Sequence, residues 1–140
     1  MSRHPERVRY GSEVGYRRHF EREYCAGPIE TFDGVAVRFK KADFDHAFFE
    51  SVTTKDDTFS PARAERIDWI KWALQNPRAE LYVGWDNKKK RVNRRSRVAI
   101  VNGDYVVIIR FTGPSMAAFV TAFVAGSRAL TNIRLGEQWV

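Results

Sequence analysis

Between residues 35 and 40, Val35, Val37 and Phe39 alternate with Ala36, Arg38 and Lys40. This period of two predicts a half-buried strand. DFDHAFFES, residues 43–51, follows as a short Phe-rich helix or helical turn. The clearest helix covers 61–75. Ser60 suits the N-cap, Pro61 suits the first helical position, and Asn76-Pro77 ends the run. At about 100° per residue, Ile67, Ile70 and Leu74 fall on one stripe, with Arg63 and Arg66 on or beside it. Such arginines either overhang the core or snorkel to water. ELYVGW (80–85), Val98–Val101, Tyr105–Thr112 and Phe119–Ala125 read as further strands, with a hairpin signal at Asn102-Gly103 and a break at Gly113-Pro114. Ser127–Arg134 reads as a short closing helix. Residues 1–30 form a basic N-terminal arm, with a short helix around Tyr16–Tyr24 and docked through its aromatics; the patterned domain spans 31–140. The expected fold class is α+β: N-terminal helices on one face of a roughly four-stranded antiparallel meander sheet, then a short C-terminal helix.

A two-residue turn at Asn102-Gly103 sets Val101 opposite Asp104. One sheet face then carries Val98, Ile100, Tyr105, Val107, Ile109 and Phe111, which suit the helix stripe. The other carries Arg95, Arg97, Ala99, Val106, Ile108, Arg110 and Thr112. In the last strand Val120, Ala122 and Val124 are expected inward, and Phe119, Thr121 and Phe123 outward; Leu81, Val83 and Trp85 go inward and Tyr82 outward. A bulge would invert part of this assignment. The open face thus combines arginines and threonines with Tyr82, Phe119 and Phe123. Beside it runs KKKRVNRRSR, residues 88–97, with seven basic residues in ten, including Lys88, Lys89, Lys90 and Arg91. Arginine neutralises phosphate and exposed aromatics stack unpaired bases, the two means by which single-stranded RNA is held. The plain alternative is the hydrated polar side of any two-faced sheet.

Composition agrees with a polyanion partner. Lys plus Arg number 24 against 17 Asp plus Glu, a formal net charge of +7. The single Cys25 cannot form an internal disulfide or, with no second Cys, a Cys-rich metal site; this fits a reducing, cytoplasmic site of action. The N-terminal stretch has no apolar h-region, so no signal peptide is expected, and no apolar run approaches the ~20 residues that span a bilayer. No membrane insertion is expected.

Among the histidines, His4 and His19 lie in the arm, whereas His46 lies in the domain between Phe44 and Phe48-Phe49, with Asp43 and Asp45 adjacent. An imidazole there can act as general acid or base near neutral pH. Its other role would be a half-buried histidine bonded to backbone. Asp43, Asp45, Asp56 and Asp57 lack calcium-loop spacing, and no Gly-rich phosphate loop is present. No metal and no cofactor is expected. Metal-free RNA cleavage needs a base for the 2′-hydroxyl, an acid for the leaving oxygen and cations for the phosphorane. His46 with Arg66, Lys71, Arg110 and Thr121 could supply that set, although Lys71 lies off the core stripe, where a solvated lysine is the simpler reading.

From Phe39 onward the chain resembles the phage-associated barnase/EndoU/colicin/RelE-like nuclease domains. The resemblance rests on FDHAFFES (44–51), ARAERIDWIKWAL (62–74), AELYVGWD (79–86), RVAIVNGDYVVIIRFT (97–112) and FVTAFVAGS (119–127), about two thirds of the chain. It is a match of order and pattern. It implies a small metal-independent ribonuclease, a toxin or phage effector, with helices on one face of an antiparallel sheet and the active site on the other. The positions it points to are His46, Arg110, Thr112 and Thr121. A second histidine, used in some branches, has no counterpart in the domain, which leaves a one-histidine mechanism or loss of catalysis open.

Three functions compete: a ribonuclease acting on RNA, a non-catalytic RNA- or DNA-binding module, and a basic adaptor for an acidic protein. A free ribonuclease needs restraint, so an acidic immunity or antitoxin protein is the expected partner of the basic face.

Overall fold

The computed structural model describes residues 4–83, 85–86, 91–92 and 97–135, with backbone alone for Val83, Trp85, Asp86, Arg91, Val92 and Arg97. The fold is α+β. In chain order the elements are α1 (Glu13–Glu23), β1 (Ile29–Glu30), β2 (Ala36–Arg38), α2 (Asp43–Phe48), β3 (Phe49–Glu50), β4 (Thr58–Phe59), α3 (Pro61–Ala64), α4 (Ile67–Gln75), β5 (Glu80–Val83), β6 (Trp85–Asp86), β7 (Arg91–Val92), β8 (Arg97–Asn102), β9 (Tyr105–Gly113), β10 (Met116–Val124) and α5 (Ser127–Arg134).

The expected antiparallel run is present as β5, β8, β9 and β10, but it belongs to a six-stranded mixed sheet of order β1-β2-β10-β9-β8-β5. β2 joins β10 in parallel, with Val37 opposite Ala117 and Arg38 opposite Ala118. Alternation announced the strand at residues 35–40 but carries no information on its direction or neighbour. Among the described residues, β3–β4 and β6–β7 form separate two-stranded ribbons.

The hairpin slides by one residue on each strand relative to expectation. Val101 pairs with Val106 and Asn102 with Tyr105. The loop is Gly103-Asp104, and Gly103 has φ 64°, a value that favours glycine at the first loop position. This slide preserves the parity of the pairing, so the two face assignments in β8 and β9 survive it.

Val98, Ile100, Tyr105, Val107 and Ile109 share a core with α1, α2 and α4. Ile67, Ile70 and Leu74 of the predicted stripe are fully buried there. Burying side chains of this size contributes about 1.5–3 kcal/mol each. α1 lies within the stretch expected to be an arm and adds Tyr16, Phe20 and Tyr24 to this core. The predicted helix at 61–75 is two helices. Ser60 Oγ accepts from Arg63 N–H at 3.3 Å, as an N-cap should. The chain then turns at Arg66, whose φ −95° and ψ 21° lie outside the helical region.

The opposite face is not fully open. α5 packs Ile133, with Ala129 and Leu130, over Ala99, Val101, Val106 and Ile108, a second core on the side expected to face solvent. These four sheet residues are apolar and need cover, and the closing helix supplies it.

Candidate acid–base site and nucleic-acid interface

α2 buries Phe44, Ala47 and Phe48 at helical spacing, which turns His46 outward. The His46 side chain is 46% exposed, and its Nδ1 lies 3.2 Å from Asp56 Oδ2. Asp56 has φ 51°, the left-handed region where aspartate is among the few tolerated side chains. Its neighbour explains why that geometry persists. The Asp57 carboxylate accepts the backbone N–H groups of Val52 at 2.9 Å and of Thr53 and Thr54 at 2.8 Å. Those bonds, led by that of Thr54, hold its acid constant well below the usual aspartate value. Asp56 N–H in turn donates to Ser51 Oγ at 2.9 Å. The 51–58 loop is thus stapled around Asp57 so that Asp56, just before it, faces His46.

Thr121 sits where β10 shifts register, between Phe119 opposite Ile109 and Thr121 opposite Ile108. Its hydroxyl donates to the backbone carbonyl of His46 at 2.9 Å. The two predicted residues are therefore neighbours through the backbone, and Thr121 fastens α2 to β10. Arg110 does not join them. It pairs with Ala118 across the sheet, and no hydrogen bond or ion pair links it to His46 or Thr121 among the described residues.

Arg110 belongs instead to a row across the strands. In register, Arg97 lies opposite Arg110, Arg110 opposite Ala118, and Ala118 opposite Arg38. Arg38 and Arg110 are exposed, as is Thr112. Val37, Ala117 and Ile109 point into the helix-side core, so Arg38, Ala118 and Arg110 occupy the other face. Arg38 was visible as the polar partner of Val37, but only the parallel pairing with β10 brings it into this row. Two carboxylates share the face among the described residues: exposed Glu30 of β1 pairs with Ala36, two residues along β2 from Arg38, and Glu80 of β5 pairs with Val101 and is bridged by Arg134.

The aromatic part of the expected face is largely dismantled. Phe119 is 3% exposed and stacks on Phe39, with centroids 4.7 Å apart. The bulge before Thr121 reverses the alternation, so Phe119 goes inward and Val120 packs on the α5 side. Past the bulge Ala122 lies in the helix-side core, as expected, but Val124 is 44% exposed. Tyr82 and Phe123 lie on the expected side but pack against the second core, and the Tyr82 hydroxyl donates to Glu80 at 2.5 Å. Lys88, Lys89, Lys90 and Arg95 lie outside the described residues, as do the side chains of Arg91 and Arg97.

Lys71 is exposed on the outside of α4. Arg66 instead lines a cleft of about 210 Å³ with Glu50, Ser60, Ala62, Arg63, Tyr105, Ala122, Phe123 and Val124. Another cluster had no signal in the sequence. His19 is 7% exposed, with Nε2 2.7 Å from Asp68 Oδ1 and Nδ1 2.7 Å from the Tyr10 hydroxyl. Its partners lie 49 and 9 residues away, so only the folded chain reveals it.

Among the described residues no group of three or more His, Cys, Asp or Glu is placed to hold a metal ion. No described helix is long and apolar enough to cross a membrane. Family models, curated proteins and solved structures offer no match to this chain.

Proposed function

We propose that the protein binds nucleic acid along the arginine row and cleaves RNA at the adjoining β10 edge without a metal. The observation that carries the cleavage is the His46 side chain: half exposed, fixed through Nδ1 on Asp56, with no hydrogen-bond partner on Nε2 among the described residues. A carboxylate behind an imidazole sets its tautomer and stabilises the imidazolium that forms when it takes a proton. On this reading Nε2 accepts the proton of a 2′-hydroxyl. The 2′-oxygen attacks the adjacent phosphorus, and the 5′-oxygen leaves with a proton from water. The products are a 2′,3′-cyclic phosphate and a 5′-hydroxyl. Ala118, opposite Arg38, precedes Thr121 by three residues, about 10 Å along the strand. A strand of RNA held by the row therefore runs close to the α2 edge. The resemblance to barnase/EndoU/colicin/RelE-like nuclease domains supports the same reading, and an acidic immunity or antitoxin protein is the partner proposed for the row.

The second reading, binding without cleavage, is favoured by one observation: among the described residues no hydrogen bond or ion pair links Arg110 to His46 or Thr121. Incubation of labelled RNA with the protein in chelator separates the two. Cyclic-phosphate products that vanish in His46→Ala support cleavage. RNA that is bound but uncut supports the second reading, and RNA neither bound nor cut removes both. Replacing Arg38 and Arg110 together by Ala is expected to lower the salt dependence of binding by about one unit of log–log slope for each phosphate left without its arginine.

A further inference from the structure

The cleft beneath α3 holds one buried donor that the protein itself leaves unmatched, with a tyrosine hydroxyl on the same wall. Arg66 Nε is buried with no hydrogen-bond partner among the described residues. The rest of that guanidinium is held in place: Nη1 donates to the Ala62 carbonyl and lies 3.8 Å from Glu65, and its carbon sits 5.2 Å from the Trp69 ring centre. Tyr105 is 3% exposed, with its ring edge-on to Trp69 at 5.4 Å, and its hydroxyl has no hydrogen-bond partner among the described residues. Burial holds its ionisation well above the usual tyrosine value, so it stays a neutral O–H donor. Buried donors are nearly always paired, so the unpaired Arg66 Nε–H on the cleft wall calls for an acceptor from outside, and the Tyr105 hydroxyl lies on the same wall as a second donor.

The remaining wall narrows the acceptor's chemistry. Arg63 adds a second guanidinium, anchored by its Nη1 on the Phe49 carbonyl at 3.1 Å. Ser60 Oγ, which accepts from Arg63 N–H, keeps its own O–H to donate. Glu50 lies 3.9 Å from Arg63 and offsets one of the two positive charges, while Glu65 faces Arg66 and is shared with Arg7 and Arg9. Guanidinium forks and hydroxyls are a set that matches tetrahedral phosphate oxygens. The volume, about 210 Å³, is that of roughly seven liquid waters, more than a lone tetrahedral anion fills. Ala122 and Val124 give the rest of the cleft an apolar wall.

We infer that this cleft binds a phosphoryl group together with the sugar that carries it, as in a nucleoside monophosphate. Arg66 Nε–H and the Tyr105 hydroxyl donate to the phosphate oxygens, Arg63 adds charge, and the sugar lies against Ala122 and Val124. The site does not depend on cleavage at His46.

Titration calorimetry of the full chain with uridine monophosphate, inorganic phosphate and uridine tests it, with the arginine Nε–H signals followed by NMR. The monophosphate is expected to bind more tightly than phosphate, and uridine not to bind. The Arg66 Nε–H signal should shift and its exchange with water should slow. Tyr105→Phe keeps the ring packing and Arg66→Lys keeps the charge; each is expected to weaken the monophosphate about tenfold. His46→Ala should bind it as the native chain does, whatever its effect on RNA. Unchanged affinity in both cleft variants, binding of uridine, or no binding of the monophosphate at millimolar concentration would overturn the proposal. Equal affinity for phosphate and the monophosphate would overturn its sugar half.

Discussion

Two histidine–aspartate pairs sit in this protein under opposite conditions. His19 is buried and engaged on both ring nitrogens, by Asp68 on one side and Tyr10 on the other. His46 is half exposed and engaged on Nδ1 alone, by Asp56. The side-chain chemistry is the same, but the consequences differ. A ring closed at both ends has no nitrogen left for a substrate proton and serves as a tie, here between α1, α4 and the segment before α1. A ring fixed at one end and open at the other is oriented without being used up. The number of partners, more than the presence of a carboxylate, separates a structural imidazole from a reactive one.

On the proposed cleavage, the largest effect expected from this contrast is on catalysis. His46→Ala should lower RNA cleavage by about 10²- to 10⁴-fold, the usual range for losing an acid–base group, with little change in the urea midpoint. A cleavage assay beside a denaturation curve checks both halves. Equal cleavage by the variant and the native chain would remove His46 from the chemistry. Next comes His19→Ala, which removes the hydrogen bonds to the partly exposed Asp68 carboxylate and Tyr10 hydroxyl and should cost about 1–2 kcal/mol in urea unfolding. The folded fraction should still cut RNA at the native rate. Loss of activity in a His19 variant that stays folded would invert the comparison.

Asp56→Asn is the finer test. Asparagine tolerates the left-handed backbone at this position and keeps a side-chain oxygen, but removes the charge behind the imidazole. A rate lower by about tenfold with unchanged stability is the expected outcome. The smallest effect concerns pH and the loop itself. The folded-state acid constant of Asp57 is depressed, so its ordering contribution is present above the ordinary aspartate value of about 3.9 and is lost only as pH falls through the lower folded value. Amide exchange at Val52, Thr53 and Thr54 should stay slow down to about pH 4. In Asp57→Asn it should already be fast at neutral pH. Fast exchange in the native chain at pH 5 would show that Asp57 does not hold the loop.

Much of the element pattern was legible before the fold. Ser60-Pro61 announced a helix start, Ser127–Arg134 matches α5 to the residue, and period two marked β8 and β9 with the right residues on each face. His46 stood out for its place in an apolar run. Asp56, Arg38 and the His19 cluster did not, because each depends on a partner that is remote in sequence or brought close only by a loop. Arg66 stood out as an arginine beside an apolar stripe; that Tyr105 and Arg63 share its cleft required the tertiary fold that sets α3 and the ends of β9 and β10 around one space.

By itself the sequence determined the local periods, the turns and the charge, because these depend on neighbours a few residues apart. The tertiary structure alone decided the rest. It chose a parallel β2 at the β10 edge, laid α5 over a face that alternation marks only as outward, and turned Phe119 inward through one extra residue in β10. Strand direction, sheet cover and bulges are set by long-range burial, where moving one residue across a sheet exchanges its core and solvent sides. That exchange removed the expected aromatic platform from a face that carries a row of arginines, and it left Thr121 bonded to the His46 carbonyl.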